Sequence, residues 1–126
     1  MNIHLKPTLI SMAWALFIAL LCAIPGKDLP TIGWLELISF DKFVHAGLFF
    51  VQFNFTSKAL CYQPYSRWVR HYHHKISFSF CLLYGGLLEL LQGAIFVDRS
   101  ADIYDFIANT AGACISYIVF RKKNHQ

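Results

Sequence analysis

The stretch "DKFVHAGLFFVQFNF", residues 41–55, opens on an acid, a base and a histidine and then turns apolar. With the residues that follow, it is long enough to cross a bilayer. A charged side chain near the bilayer midplane costs roughly 2.5–3.5 kcal/mol on insertion scales. A membrane-spanning helix that begins with Asp41, Lys42 and His45 therefore needs partners for them, and the rest of the chain must supply those partners.

Working outward, the 126 residues allow a single domain, 1–126, and composition gives its class. The chain is 56% hydrophobic and only 14% charged, against about 25% charged in soluble domains. So little charge cannot cover a globule, and the apolar residues lie in long runs. A hydrocarbon core about 30 Å thick needs roughly 17–25 apolar residues in helical form. Four runs meet that length: about 8–24, 42–61, 76–97 and 103–120. The fold expected is an all-α, polytopic four-transmembrane-helix bundle. The first run is read as a retained helix, because Leu21 stands before Cys22 where a lipoprotein signal needs a small residue. Cys22, Cys61, Cys81 and Cys114 form no C-x-x-C pair and are read as small hydrophobes.

Charge gives the orientation. Lys6 precedes the first run, "YSRWVRHYHHK" (65–75) separates the second from the third, and "RKKNHQ" (121–126) closes the chain. With an even number of crossings all three basic segments fall on one side, which the positive-inside rule makes cytoplasmic. Both termini are expected there. The same placement argues against nucleic acid as the partner of the +4 net charge. His71, His73 and His74 are read as part of a solvated, lipid-facing basic loop rather than as a metal tract. The segment "PGKDLPTIGWLELISF" (25–40) is expected along the outer interface, with Trp34 at headgroup level.

Counting along the runs then places the polar residues in one layer. Glu89 lies eight residues before Val97, about 12 Å below the outer surface at helical rise. Asp41, Lys42 and His45 open the second run from the outside, and Asp102, Asp105 and Asn109 open the fourth. Asp102 suits an N-cap. Three stripes result at helical spacing: Asp41, His45, Phe49 and Gln52; Gly85, Glu89, Gln92 and Phe96; Asp102, Asp105, Asn109, Gly112 and Ser116. Turning them toward one another removes the lipid penalty. Gly85, Gly86, Gly93 and Ala108-x-x-x-Gly112 would let the backbones approach closely.

"DKFVH" followed by "GGLLELLQGAIFVDRSADIYDFIANTAG" resembles the VanZ-like family of bacterial integral membrane proteins. The family pattern is D-K-x-x-H, then E-x-x-Q, an arginine, and D-x-x-x-N-x-x-G. Here these elements are Asp41, Lys42 and His45; Glu89 and Gln92; Arg99; and Asp105, Asn109 and Gly112. Ser116 stands where a further glycine is often found. The resemblance implies a cell-envelope role, with low-level resistance to the glycopeptide teicoplanin as a special case.

On the residues themselves, three uses compete. The polar groups could only join helices: Asp41 to His45, Glu89 to Lys42 or Arg99, Asp105 to Asn109. They could bind a lipid headgroup or lipid-linked wall precursor, with Lys42, Arg99 and His45 toward the anion and Phe43, Phe49 and Phe96 as walls. This is the function expected, with Asp41, Lys42, His45, Glu89, Gln92, Arg99, Asp105 and Asn109 as ligand-binding residues. The alternative is a membrane-embedded hydrolase or transferase on a lipid-linked substrate, with His45, Glu89 and Asp105 as candidate catalytic groups. The sequence leaves open whether the protein is an enzyme. It shows no G-x-S-x-G or H-E-x-x-H motif. No cofactor and no metal are expected, membrane lipids are the expected partners, and the sequence leaves the oligomeric state, a homo-oligomer included, open.

Overall fold

The structure, a computed structural model, describes residues 2–24, 40–95 and 101–124. They form five helices: α1 Leu5–Ala23, α2 Phe40–Tyr62, α3 Arg67–His71, α4 His73–Ala94 and α5 Ile103–Asn124. No strand occurs among the described residues. Pro7 is tolerated in the first turn of α1, where its missing N–H has no intrahelical partner to lose.

Among the described residues, three helices are long and apolar enough to cross a membrane: Leu5–Ala23, His73–Ala94 and Ile103–Lys122. Helix α2, at 23 residues, has the length but carries Lys42, His45, Gln52, Asn54 and Lys58. Of the four expected runs, the second thus meets the length requirement alone. Its surroundings account for the difference, because α2 packs against α1, α4 and α5. A helix with neighbours on most sides needs less apolar surface than one facing lipid. By contrast, Leu16, Leu20, Leu83, Leu90 and Ile115 on the other three are exposed, as a lipid-facing surface requires.

Contacts between the helices give their directions. Ser11 Oγ meets Thr56 Oγ1 at 3.0 Å and Trp14 Nε1 donates to Leu48 O at 3.0 Å, so α1 and α2 are antiparallel. Lys42 meets Asp102 just before α5, and Phe53 meets Tyr117 further along, so α2 and α5 are parallel. Helix α4 runs against both, joining Glu89 to Asp102 and Phe78 to Tyr117. His4 lies beside the Tyr62 carbonyl and Arg121 over the Tyr117 ring, which itself packs on His74. The two ends of the described chain therefore sit at the same end of the bundle, and Lys42, Glu89 and Asp105 lie at the other.

The segment 65–75 is more ordered than a loop. Ser66 caps α3 by accepting from Val69 N, and α4 starts at His73, three residues before the expected run. It ends at Ala94 rather than 97. The expected interfacial segment with Trp34 lies outside the described residues.

The core is small: Ile18, Phe49, Phe53, Leu88 and Ala113, with Cys22 and Cys81. No disulfide joins the four cysteines. Close approach is sharpest at Gly112, where a Cβ would collide with the Ala46 carbonyl of α2. At Gly85 a Cβ would lie 3.3 Å from Asn109 Nδ2. The close packing expected of these glycines is present, and it brings α2 and α5 together next to the polar cluster.

Candidate functional site

The cluster is built where α2, α4 and α5 meet at the Lys42 end. Lys42, on the first turn of α2, donates to Asp102 Oδ2 at 2.8 Å and to Asp105 Oδ1 at 2.5 Å. One turn on, His45 Nδ1 lies 3.0 Å from Asn109 Oδ1. Its Nε2 is 3.8 Å from Asp105 Oδ2. Parallel helices in contact make this pairing possible, since the i and i+3 positions of α2 meet the i and i+4 positions of α5 at matching heights. Glu89 reaches across from α4, and its Oε2 accepts from the backbone N–H of Asp102 at 3.0 Å. His45, Glu89, Asp105 and Asn109 are all buried.

Of the eight expected site residues, Lys42, His45, Asp105 and Asn109 form one hydrogen-bonded and ion-paired group, which Glu89 joins through Asp102. Gln92 is buried one turn beyond Glu89, but its Nε2 donates to Cys22 O on α1 at 3.3 Å. It therefore ties α4 to α1 instead of entering the group. Arg99 and Phe96 lie outside the described residues, as does the Asp41 side chain. Phe43 is 68% exposed, so it faces outward and is no wall of the site. Phe49 does stand behind it, buried against Gly85.

The pairings differ from those expected within helices. Asp105 meets Lys42 and His45 rather than Asn109, and Asn109 turns to His45. Sequence reasoning reduced Asp102 to an N-cap. It is one, since Tyr104 N donates to its Oδ1 at 2.8 Å, and its other oxygen is a partner of Lys42. Its spacing of three from Asp105 was the available signal. The Lys42 hydrogen bond, reinforced by that from Tyr104 N–H, holds the Asp102 carboxyl below its ordinary value.

Charge and donor inventory define the chemistry. Three carboxylates, Glu89, Asp102 and Asp105, face one lysine and one imidazole. Glu89 Oε1 and Gln92 Oε1 are buried without a hydrogen-bond partner among the described residues. The site has acceptors to spare, and Lys42 is already engaged by two of them. An imidazole between a carboxylate and an amide is also competent to hold and move a proton. Among the described residues no group of three or more His, Cys, Asp or Glu is placed to hold a metal ion.

A second polar group lies deeper. Gln52 Nε2 donates to Thr56 Oγ1 at 2.8 Å and to Ser11 Oγ at 3.2 Å. Ser116, in the place of the further glycine, is fully buried, and its Oγ has no partner among the described residues.

Searches among curated proteins and among solved structures find no match to the chain. The profile of the VanZ/LLP1 family matches residues 9–124, nearly the whole length, and so takes in α2 to α5 and most of α1. With the D-K-x-x-H, E-x-x-Q and D-x-x-x-N-x-x-G residues gathered at one end of a helical membrane bundle, the chain belongs to the VanZ/LLP1 family.

Proposed function

We propose that this protein is a four-crossing component of the bacterial inner membrane whose Lys42 end faces outward and receives the headgroup of a lipid or lipid-linked wall precursor. The observation that carries the reading is the buried cluster itself, with an acceptor in excess at Glu89 Oε1. Burying such groups in a membrane bundle is expensive unless something answers them. Headgroup hydroxyl, amide or ammonium donors would do so. Lys42, held between two carboxylates, serves as their counter-ion, and an anionic part of the ligand would fall to Arg99.

The fourth crossing by α2 and the cytoplasmic side of the termini belong to this proposal. They are supported by the length of α2, by its parallel packing on α5, and by the basic residues at the end that carries both termini.

Retention of a lipid-linked disaccharide-pentapeptide by the purified protein in native mass spectrometry tests the reading. Glu89→Gln exchanges an acceptor oxygen for a donor and should weaken retention about tenfold or more, as for a hydrogen bond to a charged group. Equal retention would overturn it. Teicoplanin resistance is the special case: expression in a susceptible host should raise the inhibitory concentration, and Glu89→Gln should cancel the rise.

The imidazole–carboxylate contact of His45 with Asp105 favours a second reading, a hydrolase or transferase acting on the same headgroup. Turnover of that precursor, lost in His45→Ala, would select it, and inertness of the wild type would remove it.

A further inference from the structure

At the opposite end of the bundle, α3, the first turn of α4 and the last turns of α5 line an open pocket of about 390 Å³. That is within the range of roughly 300–1,000 Å³ typical of small-ligand sites. Five of its lining side chains are basic: His71, His73, His74, Lys75 and Arg121. The walls are tied down. Ser57 Oγ lies 2.7 Å from His73 Nδ1 and 3.3 Å from His74 Nδ1, and the His74 ring stacks on Phe53. Gln63 accepts from the N–H groups of Tyr65 and Ser66, and Arg70 donates to the Gln63 carbonyl, so the turn leading into α3 is fixed. These histidines are thus not a solvated loop, as the sequence suggested. His73 and His74 are partly buried in a built pocket, with His71 exposed at its edge.

Three further observations bear on its occupant. No side chain caps the N-terminus of α4, which opens at this pocket, and a helix N-terminus favours an anion. The carboxylates with described side chains, Glu89, Asp102 and Asp105, all lie at the far end. Tyr62, Tyr65 and Trp68 stand exposed beside the pocket, as aromatic residues do at headgroup depth. A cationic pocket between membrane helices at that depth has the chemistry of a phosphate-ester site.

We infer that this cavity binds a phosphate group, with Lys75 and Arg121 as its fixed cations and the histidines and α4 N-terminus as donors. This site is separate from the Glu89 cluster and does not depend on the reading given for it.

The test uses the full chain in detergent and native mass spectrometry with phosphatidylglycerol, phosphatidylcholine and inorganic phosphate as probes. Phosphatidylglycerol should be retained in preference to phosphatidylcholine. The double variant Lys75→Gln/Arg121→Gln should lose about thirtyfold in affinity, roughly fivefold for each cation near a headgroup. Both residues are exposed, so thermal unfolding should stay unchanged. Displacement by millimolar inorganic phosphate would make the site one for phosphate from any source, and resistance to displacement would make it a lipid site; either supports the inference. Undiminished retention by the double variant would overturn it. So would equal binding of phosphatidylcholine, or a loss in Lys122→Gln as large as in Arg121→Gln, since Lys122 lies outside the cavity lining.

Discussion

Replacing Gly112 by alanine should loosen the contact that assembles the cluster. The added Cβ would meet the backbone carbonyl of Ala46, which cannot rotate away as a side chain could. Relief requires α5 to move off α2 by ~1 Å, and overpacking of this kind costs about 1–3 kcal/mol. The same movement stretches the His45–Asn109 contact from 3.0 Å beyond hydrogen-bond length and strains both lysine bonds. Helix propensity works in the other direction, since alanine exceeds glycine by about 1 kcal/mol. That gain is measurable within the same protein. A Cβ at Gly47 meets nothing within 4 Å, and at Gly86 only Phe106 at 3.6 Å. Thermal unfolding in detergent should therefore show Gly47→Ala and Gly86→Ala unchanged or stabilised, and Gly112→Ala lowered by several degrees. Ala46→Gly should not rescue it, because the obstruction is backbone. If Gly112→Ala unfolds with Gly86→Ala, the close approach of α2 and α5 is wrong and so is the cluster built on it.

Further outcomes follow from the pairings. Lys42→Met should destabilise the protein by about 1–3 kcal/mol, because it leaves Asp102 and Asp105 facing each other without their cation; Lys42→Arg should cost less, and denaturation midpoints would show the order. A carboxyl whose value is depressed in the fold contributes stability that is present above its unfolded value and lost as pH falls through the folded one. Asp102 is such a group, so the wild type should lose stability below about pH 4, and Lys42→Met should flatten that part of the profile. A double-mutant cycle on His45→Ala and Asn109→Ala should give a coupling of about 0.6 kcal/mol and no more than about 1.7 kcal/mol, as for other bonds between membrane helices. Gln52→Leu should change stability by less than about 1 kcal/mol. Ser11 and Thr56 keep their own 3.0 Å contact without Gln52, and its unanswered Oε1 disappears.

Much of this architecture was legible because lipid makes polar placement expensive. Asp105, Asn109 and Gly112 at helical spacing could hardly face hydrocarbon, and the same was true of His45 and Glu89, so their convergence followed. The identity of the partners did not follow. Spacing along one helix suggested Asp105 with Asn109, whereas both side chains tilt toward the neighbouring helix and meet Lys42 and His45 across the contact that Gly112 permits. Asp102 was hidden by having two oxygens with two roles. The basic segment 65–75 misled for a different reason. Its polarity is that of a loop, yet Ser66 and Gln63 supply the capping and turn bonds that let it fold, and Ser57, on the preceding helix α2, holds His73 and His74 inward.

The polar character of α2 also bears on how the chain reaches its membrane. A translocon releases segments sideways according to their own apolarity, and α1, α4 and α5 qualify unaided while α2 does not. The groups that would make α2 acceptable, Asp102 and Asp105, are synthesised 60 and 63 residues after Lys42. With the fourth crossing proposed above, α2 would have to linger beside α1 or in the insertion machinery until α5 emerges. Ribosome-bound nascent chains, whose α5 is still held in the exit tunnel, should remain accessible to aqueous labelling within α2, and released full-length chains should not.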